Sequence, residues 1–451
     1  MCKVVTEDGP RSASRPRTDP RSSSTGPDLE GVAVAMSVHG EHVGELAGVD
    51  EAREHVRRGA LAPAAPGPVG LELEAHLVDR AHPGRRVPWA RITGLVEDLG
   101  PLPGRSRVTL EPGGQVELSG PPGDDVAAAV AGLRADAAVL RSVLGAAGLG
   151  LAPLGTDPAR PAARVSPGPR YAAMEQHFTA VGCPVAGAAM MTSTASVQLN
   201  LEAGTPAEQH DRVALAHALG PVLVAVSASS PMLAGRETGW ASTRQQIWGD
   251  LDQARCGPLL GRRDPAEEWA DYALAAPVML VRFTDEGGAE PVTGRVPFAD
   301  WAAGTTLLGG RRPSAADLDY HLTTLFPPVR LRGFLEVRYL DAGPAWPAVA
   351  AVAATLLDDP DAADAAAAAC LPVVGRWTAA ARLGLTDPAL HAAARDCLAA
   401  AADRVPADLR TAVHALAEQV EAGTGPGAAV LTTARAHGPE AALLAATEED
   451  Q

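Results

Sequence analysis

Between Val69 and Asp79, the apolar residues Val69, Leu71, Leu73, Ala75 and Leu77 alternate strictly with Gly70, Glu72, Glu74, His76 and Val78. A period of two fits a strand with one buried face, and no helix can keep such a pattern on one side. The same strand therefore carries Glu72 and Glu74 together on its other face. Residues two apart on a strand sit roughly 6.5 Å from each other. At that distance two carboxylates repel one another and can share a cation.

Three further stretches repeat the pattern. Arg107 to Gly120 reads as two strand segments around Pro112-Gly113-Gly114, which is turn chemistry. Thr109, Glu111, Gln115, Glu117 and Ser119 then lie opposite Val116 and Leu118. In Ala195 to Glu202, Val197, Leu199 and Leu201 face one way, and Ser196, Gln198, Asn200 and Glu202 the other. In Gly333 to Asp341, Leu335, Val337 and Tyr339 oppose Glu336 and Arg338. One-sided strands of this kind predict an antiparallel sheet with one open face. Helical patterns fill the intervals: Glu51–Arg57 capped by Asp50, a long helix from Asp124-Asp125 to about Gly145, and Ala207 to Ser227. After Pro344 the chain reads as Ala-rich helix, so residues 345–451 are expected to be mainly helical within one catalytic domain, 36–451. The fold class is α+β.

The open face collects Glu72, Glu74, Glu111, Glu117, Gln198 and Glu336, together with Arg338. For any one glutamate a solvated sheet face is the simpler explanation. Five acids with no lysine among them are harder to explain that way, because unbalanced like charges on neighbouring strands destabilise a sheet. An all-oxygen set suits a hard cation such as Mg²⁺, which takes carboxylates, water and substrate phosphates. Thiols are absent from the face, which argues against zinc. Phosphate chemistry would have to proceed without a glycine-rich loop, since the chain contains neither G-x-x-x-x-G-K-[ST] nor G-x-G-x-x-G after a strand. Arginines supply the anion-binding half: Arg170 in Gly168-Pro-Arg-Tyr171, Arg244 between Trp240 and Trp248, and Arg330, Arg332 and Arg338 around the last strand. No Ser/His/Asp or Cys/His arrangement offers a covalent nucleophile.

The net charge of −16 argues against nucleic acid or an anionic membrane as partner. Five cysteines without C-x-x-C spacing fit a reducing cytoplasm. The polar, basic first 35 residues lack a signal peptide's apolar core and read as a disordered tail. Met36 is an alternative start. The best apolar run, Val213–Ala228, holds His217 and Pro221 and is too short to span a bilayer. A cytoplasmic protein without a membrane or an obligate protein partner is expected.

These stretches resemble the glutamate–cysteine ligases of the plant and actinobacterial type, in the glutamine-synthetase-like superfamily. The likeness rests on Gly70-Leu-Glu-Leu-Glu74, Glu111-Pro-Gly-Gly-Gln-Val-Glu-Leu-Ser119 and Thr194-Ala-Ser-Val-Gln-Leu-Asn200. It continues in Gly239 to Arg255, His321-Leu-Thr-Thr324 and Val329 to Gly343, all in family order. It is nearest to the actinobacterial branch that serves ergothioneine synthesis. The resemblance implies a curved sheet with ATP, metal and glutamate in its concave face and helices outside. It implies that ATP phosphorylates the glutamate γ-carboxylate and that the cysteine amine then displaces phosphate. Carried over by residue, Glu72, Glu74, Glu111, Glu117 and Glu336 become ligands for Mg²⁺ or Mn²⁺. Arg338, with Glu336, stands at the transferred phosphate. Arg170, Arg244, Gln198 and Asn200 contact substrate, and Gln198 falls where some branches place a histidine ligand. His76 reads as supporting the acids without ligating. Two other readings are a ligase of the same superfamily that uses another amine, and a catalytically silent nucleotide- or metal-binding protein. On the ligase reading, Glu72→Gln and Glu336→Gln should each abolish turnover with little loss of folding.

Overall fold

The computed structural model describes residues 44–448, apart from 260, 262 and 283–287. The expected disordered tail, Met36 and Cys2 lie outside the described residues. Seven strands form the main sheet: β1 (Val69–Asp79), β2 (Arg107–Leu110), β3 (Val116–Ser119), β4 (Leu149–Ala152), β5 (Ser196–Leu201), β6 (Val329–Leu331) and β7 (Leu335–Asp341). Their order is β6-β7-β5-β1-β3-β2, with β4 also paired to β1, and every pairing is antiparallel. The sheet stays open, and helices fill most of the rest of the chain, in keeping with the α+β class expected from the alternation.

Register explains why one face is apolar. Leu71 pairs with Leu199, Leu73 with Val197 and Leu118, and Val337 with Leu199, so aliphatic side chains stack across four strands. All of these are buried, and each contributes roughly 1.5–3 kcal/mol relative to an exposed side chain. Helices Val126–Ala146, Gly220–Ser227 and Trp346–Asp358 pack against this side. The last of these is buried along almost its whole length. Asp125 caps the first of the three, accepting a hydrogen bond from the Ala128 amide.

Several elements differ from the sequence reading. The helix expected to start at an Asp50 cap begins at Val49, after Gly48, with no side-chain cap. The run from Ala207 to Ser227 forms two helices, Gln209–Ala218 and Gly220–Ser227, with Pro221 in the first turn of the second. Proline cannot continue the preceding helix, because it lacks the donor and its ring clashes one turn back. β4 was not legible, because Leu149, Gly150, Leu151 and Ala152 are all buried and show no alternation.

The turn between β2 and β3 is fixed by close packing. A Cβ on Gly113 would meet the Thr192 carbonyl oxygen at 2.3 Å, and Gly114 has φ of 83°. Arg86 also donates to the Gly113 carbonyl, at 3.0 Å. Gly113→Ala should therefore displace a hairpin that carries Glu111 and Glu117. A loss of about 1–3 kcal/mol in thermal or denaturant unfolding is expected, with activity reduced further.

Candidate active site

Backbone register brings the polar side chains together on the other face. Glu74 pairs with Glu117, and Glu72 lies between Ser119 on β3 and Gln198 on β5. Glu336 pairs with Asn200 and with Arg330. Glu111 sits at the start of the turn, its amide bonded to the Gln115 carbonyl. The protein satisfies some of these acids itself. Glu74 accepts from the Ser196 amide at 2.8 Å and from Gln198 Nε2 at 3.1 Å. Glu117 accepts from the Thr109 and Ser119 hydroxyls, each at 2.8 Å. Glu72 has only a long contact with Asn200 Nδ2, 3.4 Å.

Electrostatics divides the five acids into two kinds. Burial, followed by repulsion from Glu117 and Glu336, raises Glu72 to about 7. Burial also raises Glu74, Glu111 and Glu117; Glu117 repels Glu111, and Glu74 repels both Glu111 and Glu117. Glu336 goes the opposite way. Burial opposes its ionisation, but Arg330 and Arg338 overcome this and hold it at about 2. Arg330 grips both of its oxygens, Arg338 Nη1 donates at 2.9 Å, and Arg332 stands 3.6 Å away. Gln198 then bridges the two zones: its Oε1 accepts from Arg338 while its Nε2 donates to Glu74.

A β-bulge on β7 places the arginines. Val337 pairs with Leu199 but Leu340 with Val197, so Arg338 and Tyr339 together oppose one residue of β5. A bulge leaves ladder groups unpaired. Here the side chains of helix Thr243–Gly249 take them up. Arg244 Nη2 donates to the Arg338 carbonyl and Gln245 Nε2 to the Tyr339 carbonyl, each at 2.8 Å. The extra residue also turns Asp341 to the polar side, where it pairs with Ser196 and accepts from the Ser230 and Ser242 hydroxyls. Asp341 stands 3.8 Å from Arg244. Strict alternation would have put Asp341 among the core residues, and sequence reasoning missed it.

Arg170 lies farther out, donating to Thr323 at 3.0 Å and covering the Tyr320 ring at 4.7 Å. Its charge still acts on Glu111. His76 is fully buried beyond Glu74, and neither ring nitrogen has a hydrogen-bond partner. Burial lowers it to about 4, with Asp157, Arg160 and Arg86 around it. It is therefore neutral at physiological pH. Arg330 was noted in the sequence only as part of a cluster. Its partner could have been found from the hairpin: a three-residue loop with Gly333 at φ of 83° sets Val329 opposite Val337, and hence Arg330 opposite Glu336.

Among the described residues, no three His, Cys, Asp or Glu side chains stand close enough to hold a metal ion by themselves. The donor set nevertheless fits a hard cation. Glu72, Glu74, Glu111 and Glu117 are oxygen donors short of counter-charge, as their raised pKa values show. Mg²⁺ commonly takes one or two carboxylates and completes its shell with water and substrate phosphate. Glu336, already held by two arginines, is the least available of the five.

The model of the glutamate–cysteine ligase family 2 (GCS2) matches residues 68–445. The chain is 55% identical over 386 residues to the glutamate–cysteine ligase EgtA of Mycolicibacterium smegmatis, covering 85% of this chain and 90% of that one. It is 53% identical over the same length to the EgtA of Mycobacterium tuberculosis, with 89% of that protein covered. The chloroplastic glutamate–cysteine ligase of Arabidopsis thaliana is 32% identical over 269 residues, 57% of this chain and 50% of the plant protein. A crystal structure of the Francisella tularensis glutamate–cysteine ligase in complex with AMP superposes with a TM-score of 0.52. At 14% identity it covers 86% of this chain and 88% of that one, a likeness of fold. With the family match spanning the whole sheet and most of the helical remainder, this chain belongs to glutamate–cysteine ligase family 2.

Proposed function

We infer that this protein joins the γ-carboxylate of glutamate to the amine of cysteine at the expense of ATP, through a γ-glutamyl phosphate. The products are γ-glutamylcysteine, ADP and phosphate, and we read the step as one of ergothioneine synthesis, a reading supported by the likeness to the EgtA ligases. The observation that carries this reading is the division of the polar face into under-neutralised acids on one side and an arginine-bound Glu336 on the other. Glu72, Glu74, Glu111 and Glu117 would hold Mg²⁺ or Mn²⁺, which supplies charge neutralisation for the ATP phosphates. Arg338, held by Gln198 and Glu336, presents a fixed cation where the transferred phosphoryl group must pass. Arg330 neutralises Glu336, so that carboxylate does not oppose the incoming anion. Arg170 and Arg244 supply forks for substrate carboxylates.

Phosphoryl and acyl transfer of this kind depend on alignment and charge stabilisation more than on a strong base. This accords with a face built from buried carboxylates on one side and an arginine-held Glu336 on the other. The neutral His76 supports the packing behind Glu74 and takes no charge in the reaction. We read residues 36–451 as one catalytic unit acting in the cytoplasm on small molecules. Among the described residues, no helix is long and apolar enough to cross a membrane.

Purified protein given ATP, Mg²⁺, glutamate and cysteine should release phosphate well above the glutamate-only control and yield γ-glutamylcysteine. Omission of the divalent cation should stop the release. Phosphate at the control level throughout would sink the assignment, and a panel of amines would reveal a ligase with a different acceptor.

A further inference from the structure

Among the described residues no group donates to the Glu111 carboxylate, so its place is set by the backbone of the turn between β2 and β3. That turn is held from outside at three points. The Pro112 carbonyl accepts from the Val165 amide at 2.8 Å and the Ser166 amide at 3.1 Å. Gln115 Nε2 donates to the Thr194 carbonyl at 2.9 Å. The third point is Arg86, which reaches inward from the mostly exposed segment 80–85 that follows β1. Its Nη1 donates to the Gly113 carbonyl at 3.0 Å. Its Nη2 donates to the Pro161 carbonyl at 2.9 Å and the Ser193 hydroxyl at 3.2 Å. Ser193 ends helix Pro184–Ser193 and leads into β5, where the Ser196 amide holds Glu74. One guanidinium therefore joins the turn of Glu111 to the strand entry that fixes Glu74.

This tie is costly to bury. The Arg86 side chain is only 10% exposed, and burial lowers it to about 10, so it remains charged at neutral pH. Its counter-ion, Asp157, stands 3.8 Å away and is already engaged by Arg160 and by the Ala159 and Arg160 amides. Arg86 Nε is buried without an acceptor. Well-packed apolar side chains often replace buried ions with no loss of stability, so stability alone does not account for an arginine here. What an apolar side chain cannot do is bind acceptors on three segments in fixed directions, and the planar fork of a guanidinium does that. We propose that Arg86 is a positioning residue for the cation site, holding the Glu111 turn at a fixed distance from Glu74. The proposal rests on the reading that these acids bind a divalent cation, and it adds a residue whose own contacts are all with the frame. Groups that orient metal ligands in this way are worth roughly 10–100-fold in metal affinity.

The test uses the full chain and two readouts. Mn²⁺ binding is followed by electron paramagnetic resonance, with and without a non-hydrolysable ATP analogue, and phosphate release is measured as Mg²⁺ is varied. Arg86→Met keeps the stem and removes every donor. It should raise the Mn²⁺ Kd and the half-saturating Mg²⁺ concentration about tenfold, while KM for cysteine changes less than about twofold. Arg86→Lys keeps the charge without the fork and should weaken Mn²⁺ binding about threefold; it carries the test if the methionine variant does not fold. Arg212→Met is the comparison. That arginine is also 10% exposed, and it ties the Leu357 and Glu202 carbonyls and Asp358 away from the turn. Its loss should lower thermal stability and leave Mn²⁺ binding unchanged. Wild-type Mn²⁺ affinity in both Arg86 variants, or an equal weakening in Arg212→Met, would make Arg86 a general stabiliser and overturn the proposal. Wild-type protein that binds no Mn²⁺ under either condition would refute the cation reading itself, and this proposal with it.

Discussion

Glu72→Gln is expected to lower kcat by about 10³-fold or more and yet to make the ligand-free protein more stable at pH 8. The first effect follows if Glu72 helps to neutralise the nucleotide phosphates through a cation, since single groups of this kind are worth several kcal/mol in the transition state. The second follows from the carboxylate's surroundings. Glu72 is buried beside Glu117 and Glu336, has one long hydrogen bond, and is held at about 7. In the unfolded chain it returns to about 4.5. A folded value above the unfolded one means that the folded state binds the proton more tightly. This group's cost to folding is therefore nil below about pH 4.5, grows as pH rises towards 7, and reaches up to about 3 kcal/mol above it. The amide removes that cost. Thermal unfolding without divalent cation should show the variant above wild type at pH 8 and level with it near pH 4.5. Near-normal turnover would remove the argument for a cation at Glu72.

Glu336→Gln should lose activity as well, but with the opposite effect on stability. Its carboxylate is the shared partner of Arg330 and Arg338, with Arg332 close by. Without it, Arg330 is left buried with no carboxylate on its fork. Removing one partner of a buried ion pair costs about 3–5 kcal/mol. The sequence alone suggested that both glutamates could be neutralised with little loss of folding, and the Arg330 contact changes that expectation for Glu336. The linkage also reverses. Glu336 is held at about 2 against an unfolded value of about 4.5, so its contribution is fully present above pH 4.5 and fades as pH falls towards 2. Denaturant titrations of the variant and wild type at pH 7 and pH 3 would measure this. A variant as stable as wild type at pH 7 would show that the three arginines do not depend on Glu336.

The contrast between these two glutamates shows how far the sequence could be read. Alternation placed Glu72, Glu74, Glu117 and Glu336 on one face, because a period of two survives any strand order. It also gave the antiparallel sheet, since one-sided strands are characteristic of that class. It could not say which acids would meet arginines, because that depends on which strands are neighbours. Glu74 faces Glu117 across β1 and β3, while Glu336 faces Arg330 across a three-residue turn. β4 escaped notice because it is buried on both faces. Asp341 and the reach of Arg86 escaped because one depends on an extra residue in β7 and the other joins segments far apart in the chain. Recognition of the family motifs supplied the chemistry. Spacing alone did not.

The extra residue in β7 bears on how this protein can tolerate changes in length. Pairing resumes in step on both sides of Arg338 and Tyr339, so a one-codon deletion there would leave a regular ladder. Leu335, Glu336 and Val337 would keep their partners, and so would Leu340 or its replacement. The sheet would survive the shortening. What disappears is the pair of free carbonyls that tether Arg244 and Gln245. Such a deletion should therefore keep the circular dichroism of the sheet yet lower stability, because Tyr339 no longer reaches the core, where its hydroxyl donates to the Ala216 carbonyl, and Arg244 and Gln245 lose their anchors. In homologues, a gap in an alignment at this point would mark a changed anchorage of the residues at Arg244 and Gln245 on the same sheet.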